Sequence, residues 1–353
     1  MTQAFAHLGG MWATGVSDVT NDLGAVDGGG RWAVLLPYSG PPVAIRFRSW
    51  LEQPKVVRPI GLGSSEVGSS EVGQIRWQGP ATNSWSSSVD EPEYLAAVEE
   101  VRTSIAAGSV YQANICRVLS AQLPDKGQSD IAGLYELLRV GNPAPYSGMI
   151  CAPELGIEVV TASPELFLER QKGVIRSGPI KGTGKVPGDL TAKDEAENVM
   201  IVDLVRNDLS KVCATGSVTV PDLLKVEAHP GLVHLASYIS GTLLADASWP
   251  QIIEATFPPG SITGAPKSSA IRIIGELEPA PREYYCGAIG WVDADEGTAC
   301  LAVAIRTFWK SAGQLHFGTG AGITWSSDAQ AEWRETQLKA AHLTTVAAGS
   351  WQS

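Results

Sequence analysis

Short apolar segments separated by glycine- and proline-rich turns recur along this chain of 353 residues, and they constrain its fold more than any other feature. Apolar and polar residues alternate within them, which is typical of half-buried β-strands. Strands are predicted at Trp32–Pro37, Val43–Phe47, Gly156–Ala162, Leu166–Gln171, Val174–Ser177, Leu232–Leu243, Ala288–Asp293, Thr298–Trp309 and Gln314–Ile323. Their hairpin-like spacing favours an α+β fold, a large two-layer sandwich of mostly antiparallel sheets flanked by helices.

Helical periodicity is confined to a few segments. Asp90 and Glu93 form a capping-box pattern with Pro92 in the first turn, and Gly108 ends the helix that they open. Ser327 with Gln330 gives a similar pattern before the last helix. The further helices are predicted at Ile131–Val140, Lys193–Leu209, Trp249–Ala255, Pro266–Glu276 and Asp328–Ala347.

Residues 1–85 are rich in Gly, Pro and Trp and are predicted to be a short β-rich region packed on the core. The catalytic region is expected at residues 86–353. A tandem SSEVG repeat at residues 64–73 is far shorter than a solenoid repeat, so it is interpreted as a loop insertion.

The composition excludes several classes of protein. With 44% hydrophobic and 18% charged residues, the chain is too apolar to be disordered. A formal net charge of −11 argues against a nucleic-acid partner, which would require a basic surface. The five cysteines are dispersed, without a CxxC pair. With no signal-peptide pattern and no apolar run long enough to cross a bilayer, the expectation is a cytoplasmic protein without a membrane partner.

Acidic pairs are the first candidate for chemistry. Asp194 and Glu197 lie three residues apart on one predicted helix, and Glu332 and Glu335 repeat that spacing on the last. Four carboxylates from two helices can converge on Mg²⁺, a hard cation that prefers oxygen ligands. The same spacing also suits two solvated amphipathic helices with acidic first turns.

Three further motifs allow two interpretations each. Lys181 follows a strand in SGPIKGTGK, where it is either a nucleophile of lowered pKa or an exposed loop lysine. GSITGAPK precedes a helix whose free N–H groups can bind a carboxylate, although it is also an ordinary helix start. His234 lies within an apolar strand, where a lone histidine is more often a core residue than a catalyst.

The order of the motifs is more specific than any one of them. Over residues 109–340 the chain contains, in order, SVYQANICR, ASPELFL, PIKGT, AENVMIVDLVRNDL, GLVHLAS, PGSITGAPK, YYCGAIGW, AIRT, GTGAGI and AEWRETQLKA. This series resembles the chorismate-utilising enzymes, most closely component I of the branch that forms aminodeoxychorismate. The resemblance covers about two-thirds of the chain.

The resemblance implies a role for each motif. Glu197 and Glu335 would be direct ligands of Mg²⁺, which binds the ring carboxylate of chorismate, with Asp194 and Glu332 acting through water. Glu165 of ASPEL would be the general acid, and His234 would lie beside the reacting ring. The remaining substrate-binding positions would be Gln112, Gly182, Thr183, Thr263, Tyr285, Arg306, Gly320 and Gly322.

The residue at the position of Lys181 distinguishes two branches of this family. In the aminodeoxychorismate branch this lysine attacks ring carbon 2 and ammonia then adds at carbon 4, whereas the anthranilate-forming branch has alanine here. Gln112 stands where water-using relatives have a lysine base. The resemblance therefore implies an aminodeoxychorismate synthase component I that receives ammonia from a separate glutamine amidotransferase subunit. An anthranilate synthase component I and a non-catalytic chorismate-binding homologue are the alternatives.

Overall fold

The computed structural model describes residues 4–52, 77–124, 129–229 and 232–349, so the SSEVG repeat lies outside the described residues. The described residues form eighteen strands: β1 Phe5–Leu8, β2 Met11–Thr20, β3 Arg31–Leu36, β4 Val43–Glu52, β5 Ser86–Ser87, β6 Gln112–Gln122, β7 Tyr146–Ala152, β8 Ile157–Ser163, β9 Leu166–Gln171, β10 Val174–Gly178, β11 Ile180–Gly184, β12 Thr219–His229, β13 Leu232–Thr242, β14 Gly264–Ala265, β15 Ala288–Asp293, β16 Thr298–Val303, β17 Thr307–Ser311 and β18 Gln314–Ile323. Six α-helices accompany them: α1 Glu91–Ala106, α2 Ile131–Gly141, α3 Ala192–Ser210, α4 Trp249–Thr256, α5 Lys267–Leu277 and α6 Ala329–Ala347.

The strands pair antiparallel into one continuous ladder. Its order is β12–β13–β10–β9–β16–β15–β3–β4–β2–β1–β7–β8–β17–β18–β6. Strand β11 pairs with β13 beside β10, and β5 and β14 pair with β6. Helix α3 packs on β13, α6 on β18 and α5 on β6. The predicted α+β class, with mostly antiparallel sheets and flanking helices, is confirmed.

Strand β6 shows why periodicity missed part of the sheet. Almost every residue from Gln112 to Ala121 is buried, because both faces of this strand are covered. A strand covered on both faces has no apolar–polar alternation. Alternation is the pattern that predicts half-buried strands, so the sequence of β6 does not indicate a strand.

The predicted strand Thr298–Trp309 is wrong as a single element. The chain breaks between β16 and β17, where Arg306 has a φ of 51° in the left-handed region. Such a φ cannot continue a strand, so the backbone turns at this point. The break leaves Arg306 at the ends of two strands instead of within one.

Helix caps account for the helix boundaries. The Asp90–Glu93 capping box of α1 is confirmed by two hydrogen bonds of 2.9 Å. The Ser327–Gln330 box is wrong, because α6 begins one residue later, with Asp328 accepting a hydrogen bond from the backbone N–H of Ala331. The Ser327 hydroxyl instead accepts from the backbone N–H of Thr324. No helix within the described residues is both long enough and apolar enough to span a bilayer.

Candidate functional site

A cavity of about 690 Å³ lies where β11, β13, β18, α3 and α6 meet. Thirteen of the predicted site residues line it: Glu165, Lys181, Gly182, Thr183, Asp194, Glu197, His234, Tyr285, Arg306, Gly320, Gly322, Glu332 and Glu335. Motifs separated by up to 170 residues in the sequence therefore contribute to one site.

Two of the predicted site residues, Gln112 and Thr263, do not line the cavity but are buried behind its wall. Gln112 is buried, and its amide nitrogen packs against Gly322 so closely that a Cβ there would lie 2.3 Å away. Thr263 is also buried, and its hydroxyl donates to the backbone carbonyl of Pro259 at 3.0 Å. Both residues shape the wall from behind.

Lys181 and Glu165 line the same cavity, and burial shifts the pKa of both. Strand β11 presents Lys181, whose Nζ donates to the backbone carbonyl of Ser261 at 2.9 Å. Burial lowers the pKa of Lys181, although the carboxylates of Glu197 and Glu165 oppose this shift. Glu165 is 4% exposed, and burial raises its pKa to about 7, while a hydrogen bond from the Ser261 hydroxyl and the charge of Lys181 oppose this shift. The site thus combines an acid that holds its proton near neutral pH with an amine that gives up its proton more readily.

His234 serves both as a buried strand residue and as part of the cavity lining. Its Nδ1 lies 2.8 Å from the hydroxyl of Thr183 on the neighbouring strand β11. Burial, with further contributions from Arg306 and His229, lowers the pKa of His234 to about 4. The imidazole is therefore neutral at physiological pH and can exchange hydrogen bonds without adding charge.

Helices α3 and α6 bring their acidic pairs to the same cavity. Lys193 on α3 lies between them, with its Nζ 3.7 Å from Glu197 and 3.4 Å from Glu332. Lys339 on α6 lies 2.6 Å from Glu335 and also donates to the carbonyl of Gly320 at 3.1 Å. Burial raises the pKa of Glu197, while Lys181 and Lys193 oppose that shift.

The donor chemistry of this cluster fits a hard divalent cation. All four side chains are carboxylates, the ligands that Mg²⁺ prefers. Among the described residues, no three acidic, histidine or cysteine side chains surround one point closely enough to hold a metal ion, and the Lys193 ammonium is the cation found between the two helices. A metal ion at this position would replace Lys193 as the partner of Glu197 and Glu332.

Positive charge for an anionic ligand comes from Arg306. Its guanidinium has no hydrogen-bond or ion-pair partner among the described residues and lines the cavity. Burial lowers its pKa, yet an arginine remains charged under ordinary conditions. A half-buried and unpaired guanidinium is a strong candidate for binding a carboxylate.

Two glycines allow the backbone to approach where a side chain would not fit. Gly182 has a φ of +84°, and a Cβ at this position would lie 2.8 Å from the Cβ of Asp194. A Cβ on Gly318 would lie 2.0 Å from the ring of Tyr285, which is itself buried against the cavity. The glycines of PIKGT and GTGAGI thus set the width of the cavity.

Sequence reasoning missed three residues of this site: Lys193, Lys339 and Ser261. Both lysines were detectable, because each lies four residues from a predicted metal ligand on a predicted helix, the spacing of helical ion pairs. The role of Ser261 uses its backbone carbonyl, which no side-chain pattern reveals.

Comparisons with known proteins identify the family of the chain. The sequence model of a family described as chorismate binding enzyme matches residues 71–345. Over 270 residues, the chain is 41% identical to an aminodeoxychorismate synthase of Streptomyces pristinaespiralis. It is 37% identical to anthranilate synthase component 1 of Streptomyces coelicolor and to aminodeoxychorismate synthase component 1 of Salmonella typhimurium. The resemblance inferred from the motifs is confirmed by these matches.

The matched region covers 72% to 75% of this chain but only 36%, 53% and 57% of these three relatives. Among solved structures, anthranilate synthase component I from Streptococcus pneumoniae aligns with a TM-score of 0.76 at 24% identity, covering 98% of this chain and 91% of that one. The menaquinone-specific isochorismate synthase MenF of Escherichia coli also reaches 0.76, at 18% identity, covering 98% and 88%. At such identities the structural likeness concerns the fold.

Proposed function

Because this chain belongs to the chorismate binding enzyme family, we propose that it is an aminodeoxychorismate synthase component I. It would aminate chorismate at ring carbon 4 in a Mg²⁺-dependent reaction. The observation that carries the proposal is the position of Lys181, which lines the same cavity as Glu165 and donates to the Ser261 carbonyl at 2.9 Å. The curated relatives include aminodeoxychorismate and anthranilate synthases, so the choice between these products rests on that lysine.

The first half of the mechanism follows from the two opposite pKa shifts. A neutral Lys181 amine attacks carbon 2 of the ring, the ring double bonds shift, and the bond from carbon 4 to its hydroxyl breaks. Glu165 gives its proton to the departing hydroxyl, which leaves as water. The burial that lowers the pKa of Lys181 and raises that of Glu165 prepares both groups for these tasks.

The second half reverses the flow of electrons. Ammonia attacks carbon 4, the double bonds shift back, and the bond from carbon 2 to Lys181 breaks, which returns a neutral lysine. The new ammonium group passes a proton to Glu165, and the acid is restored. In sum, chorismate and ammonia give aminodeoxychorismate and water.

Binding involves the rest of the cavity. Arg306 would hold the enolpyruvyl carboxylate, together with Tyr285 and the backbone of Gly320 and Gly322. Glu197 and Glu335 would hold Mg²⁺ directly, with Asp194 and Glu332 acting through water. When bound, the metal would neutralise these acids and bind the ring carboxylate.

The test is identification of the product. Incubating the chain with chorismate, Mg²⁺ and an ammonium salt should yield aminodeoxychorismate, separated by chromatography and identified by mass. Anthranilate with pyruvate would instead favour the anthranilate synthase alternative. Chorismate left unconsumed, with an amidotransferase partner present, would favour the non-catalytic homologue.

A lysine variant tests the covalent step. Lys181→Ala should lose at least about a thousandfold in kcat with ammonia, because covalent catalysis splits one difficult displacement into two. Lys185→Ala, four residues along the same segment and exposed, is the matched control and should retain wild-type activity. Full activity of Lys181→Ala would rule the lysine out as the nucleophile.

A further inference from the structure

A second, much smaller cavity lies behind Glu165. It measures about 20 Å³, and every residue that lines it is buried, among them Glu165, Ser177, Val205, Asp208, Ser261 and Val303. We call this space the inner chamber. Glu165 and Ser261 line both the inner chamber and the large cavity, so these two residues separate the two spaces.

The size of the inner chamber limits its contents. A space of roughly 10–15 Å³ holds one water molecule if polar partners are available. A single water or ammonia molecule therefore fits in about 20 Å³, whereas an organic substrate does not.

The hydroxyl that the chamber places beside Glu165 belongs to Ser261. Ser261 is 7% exposed, and its Oγ contacts the Glu165 carboxyl, where it favours the charged carboxylate, and has no other hydrogen-bond partner among the described residues. By contrast, the Thr256 hydroxyl donates to the carbonyl of Ile252 at 2.7 Å. Asp208 is paired with Lys267 at 2.5 Å and with Lys211 at 3.1 Å. A hydroxyl that donates its one proton to Glu165 keeps two oxygen lone pairs, which a small hydrogen-bond donor such as ammonia can fill.

The proposed reaction requires a small-molecule site on this side of the ring. Carbon 4 loses its hydroxyl to the proton of Glu165, and the same carbon then receives ammonia. The nucleophile must therefore reach carbon 4 from the space next to Glu165, while bulk water has to be kept away. Glu165 separates the inner chamber from the large cavity, so the chamber lies next to this position.

We infer that the inner chamber is the ammonia-binding site of this enzyme, with the Ser261 hydroxyl and the Glu165 carboxyl as the hydrogen-bonding partners of ammonia. This inference rests on the proposed function, since it takes ammonia as the nucleophile at carbon 4. Ammonia enters neutral, forms the bond to carbon 4 as the bond from Lys181 to carbon 2 breaks, and leaves one proton on the Glu165 carboxylate. The ammonia site and the proton acceptor then adjoin each other.

Filling the chamber tests the inference without changing a polar group. Val205→Ile on α3 and Val303→Ile on β16 each add one methylene from different walls. We expect kcat/KM for ammonia to fall at least tenfold in both, with the KM for chorismate within twofold of wild type. Val202→Ile adds the same methylene to a buried position on α3 that lines neither cavity and should leave both constants unchanged.

Enlarging the chamber gives the complementary test. Val205→Ala should allow methylamine to replace ammonia, which the wild-type chamber is too small to accept. Ser261→Ala should raise the KM for ammonia at least fivefold while the KM for chorismate stays within twofold of wild type.

An unchanged kcat/KM for ammonia in both Val205→Ile and Val303→Ile would overturn the inference, as would an equal fall of this constant in Val202→Ile. The product formed by the wild-type chain separates this outcome from failure of the proposed function. If the wild type makes anthranilate, the proposed function fails. If it makes aminodeoxychorismate and the filled variants keep their ammonia KM, only the inference fails.

Discussion

Burial acts in opposite directions on the two reactive residues. An apolar environment disfavours charge, so it raises the pKa of the Glu165 carboxyl to about 7 and lowers that of the Lys181 amine. The same loss of contact with water therefore favours a protonated carboxyl at Glu165 and a neutral amine at Lys181. Exposure to water would reverse both shifts.

The Glu165 shift predicts a pH dependence of stability. Because its pKa is raised from 4.5 to about 7 on folding, the native state holds this proton more tightly than the unfolded chain does. Its stabilising contribution is complete below pH 4.5 and is lost as the pH rises to about 7. Glu165→Gln should therefore gain up to about 3 kcal/mol relative to wild type between about pH 5 and about pH 8, measured by urea unfolding. The exposed Glu154→Gln is the control, and a pH-independent difference for Glu165→Gln would contradict the shift.

The position of Lys193 predicts that its ammonium competes with a metal ion for Glu197 and Glu332. Its ammonium lies 3.7 Å from Glu197 and 3.4 Å from Glu332, so a Mg²⁺ ion held by these acids would have to displace it. Lys193→Met should bind Mg²⁺ about tenfold more tightly than wild type in calorimetric titrations without substrate, since a competing cation is removed. Lys225→Met, which loses ion pairs on β12 and lies outside the cavity, should match wild type. Equal affinities for all three chains would rule out the competition.

At the scale of elements, one buried ion pair fixes the segment that holds Lys181. Lys267, the first residue of α5, contacts Asp208 near the end of α3 at 2.5 Å and donates to the carbonyl of Thr256 at the end of α4. Three helices therefore meet at one ammonium group. The segment between α4 and α5 carries Ser261, whose carbonyl accepts from Lys181, so the position of the reactive amine depends on this junction.

Lys267→Met should destabilise the protein by about 3 kcal/mol, because it leaves the buried Asp208 carboxylate without its nearest cation. Arg272→Met on the same helix removes an exposed pair with Glu276 at 2.8 Å and should cost less than about 0.5 kcal/mol. Urea unfolding of the two variants gives the comparison. Similar losses for both would contradict the assignment of this junction as a structural anchor.

The helices and strands also show which parts of the fold could be predicted from the sequence. Strands β9, β15 and β18 have the predicted bounds, and all six helices were expected, because caps and periodicity are local signals. Strand β6 was missed because it is buried on both faces, and the break at Arg306 was missed because it depends on a single left-handed residue. In the cavity, side chains with recognisable chemistry were predicted from motifs. The spacing of Lys193 and Glu197 indicates an ion pair within α3, but the contact of Lys193 with Glu332 on α6 and the role of the Ser261 carbonyl depend on how the elements pack.

At the scale of the whole molecule, acidic residues outnumber basic ones, but several basic residues are concentrated in the cavity. The chain carries a formal charge of −11, yet Lys181, Lys193, Arg306 and Lys339 all line one cavity with the acidic residues. An anionic substrate therefore meets local cations within a molecule that repels anions at longer range. Salt at physiological ionic strength screens the long-range repulsion within about 8–10 Å, whereas it screens the attraction by cations inside the cavity much less.

A further prediction concerns the subunit that supplies the ammonia. We expect the isolated chain to aminate chorismate with ammonium salts but to gain no turnover from glutamine, because it would receive ammonia from a separate glutamine amidotransferase subunit. Adding such a subunit should restore glutamine-dependent turnover. Product formation from glutamine alone, with contaminating ammonium removed, would contradict this division of labour.

The strand ladder has a consequence for synthesis on the ribosome. Strand β6, near residue 115, pairs along ten residues with β18, near residue 318, and the strands between them extend the same ladder. Because the chain emerges from its N-terminus, β6 has to wait for nearly two hundred further residues before its neighbour exists. Pairings this distant in sequence form slowly and leave apolar edges exposed in the meantime. We therefore expect nascent chains stopped before β18 to depend on chaperones, and the cavity to form only after β18 and α6 have been synthesised.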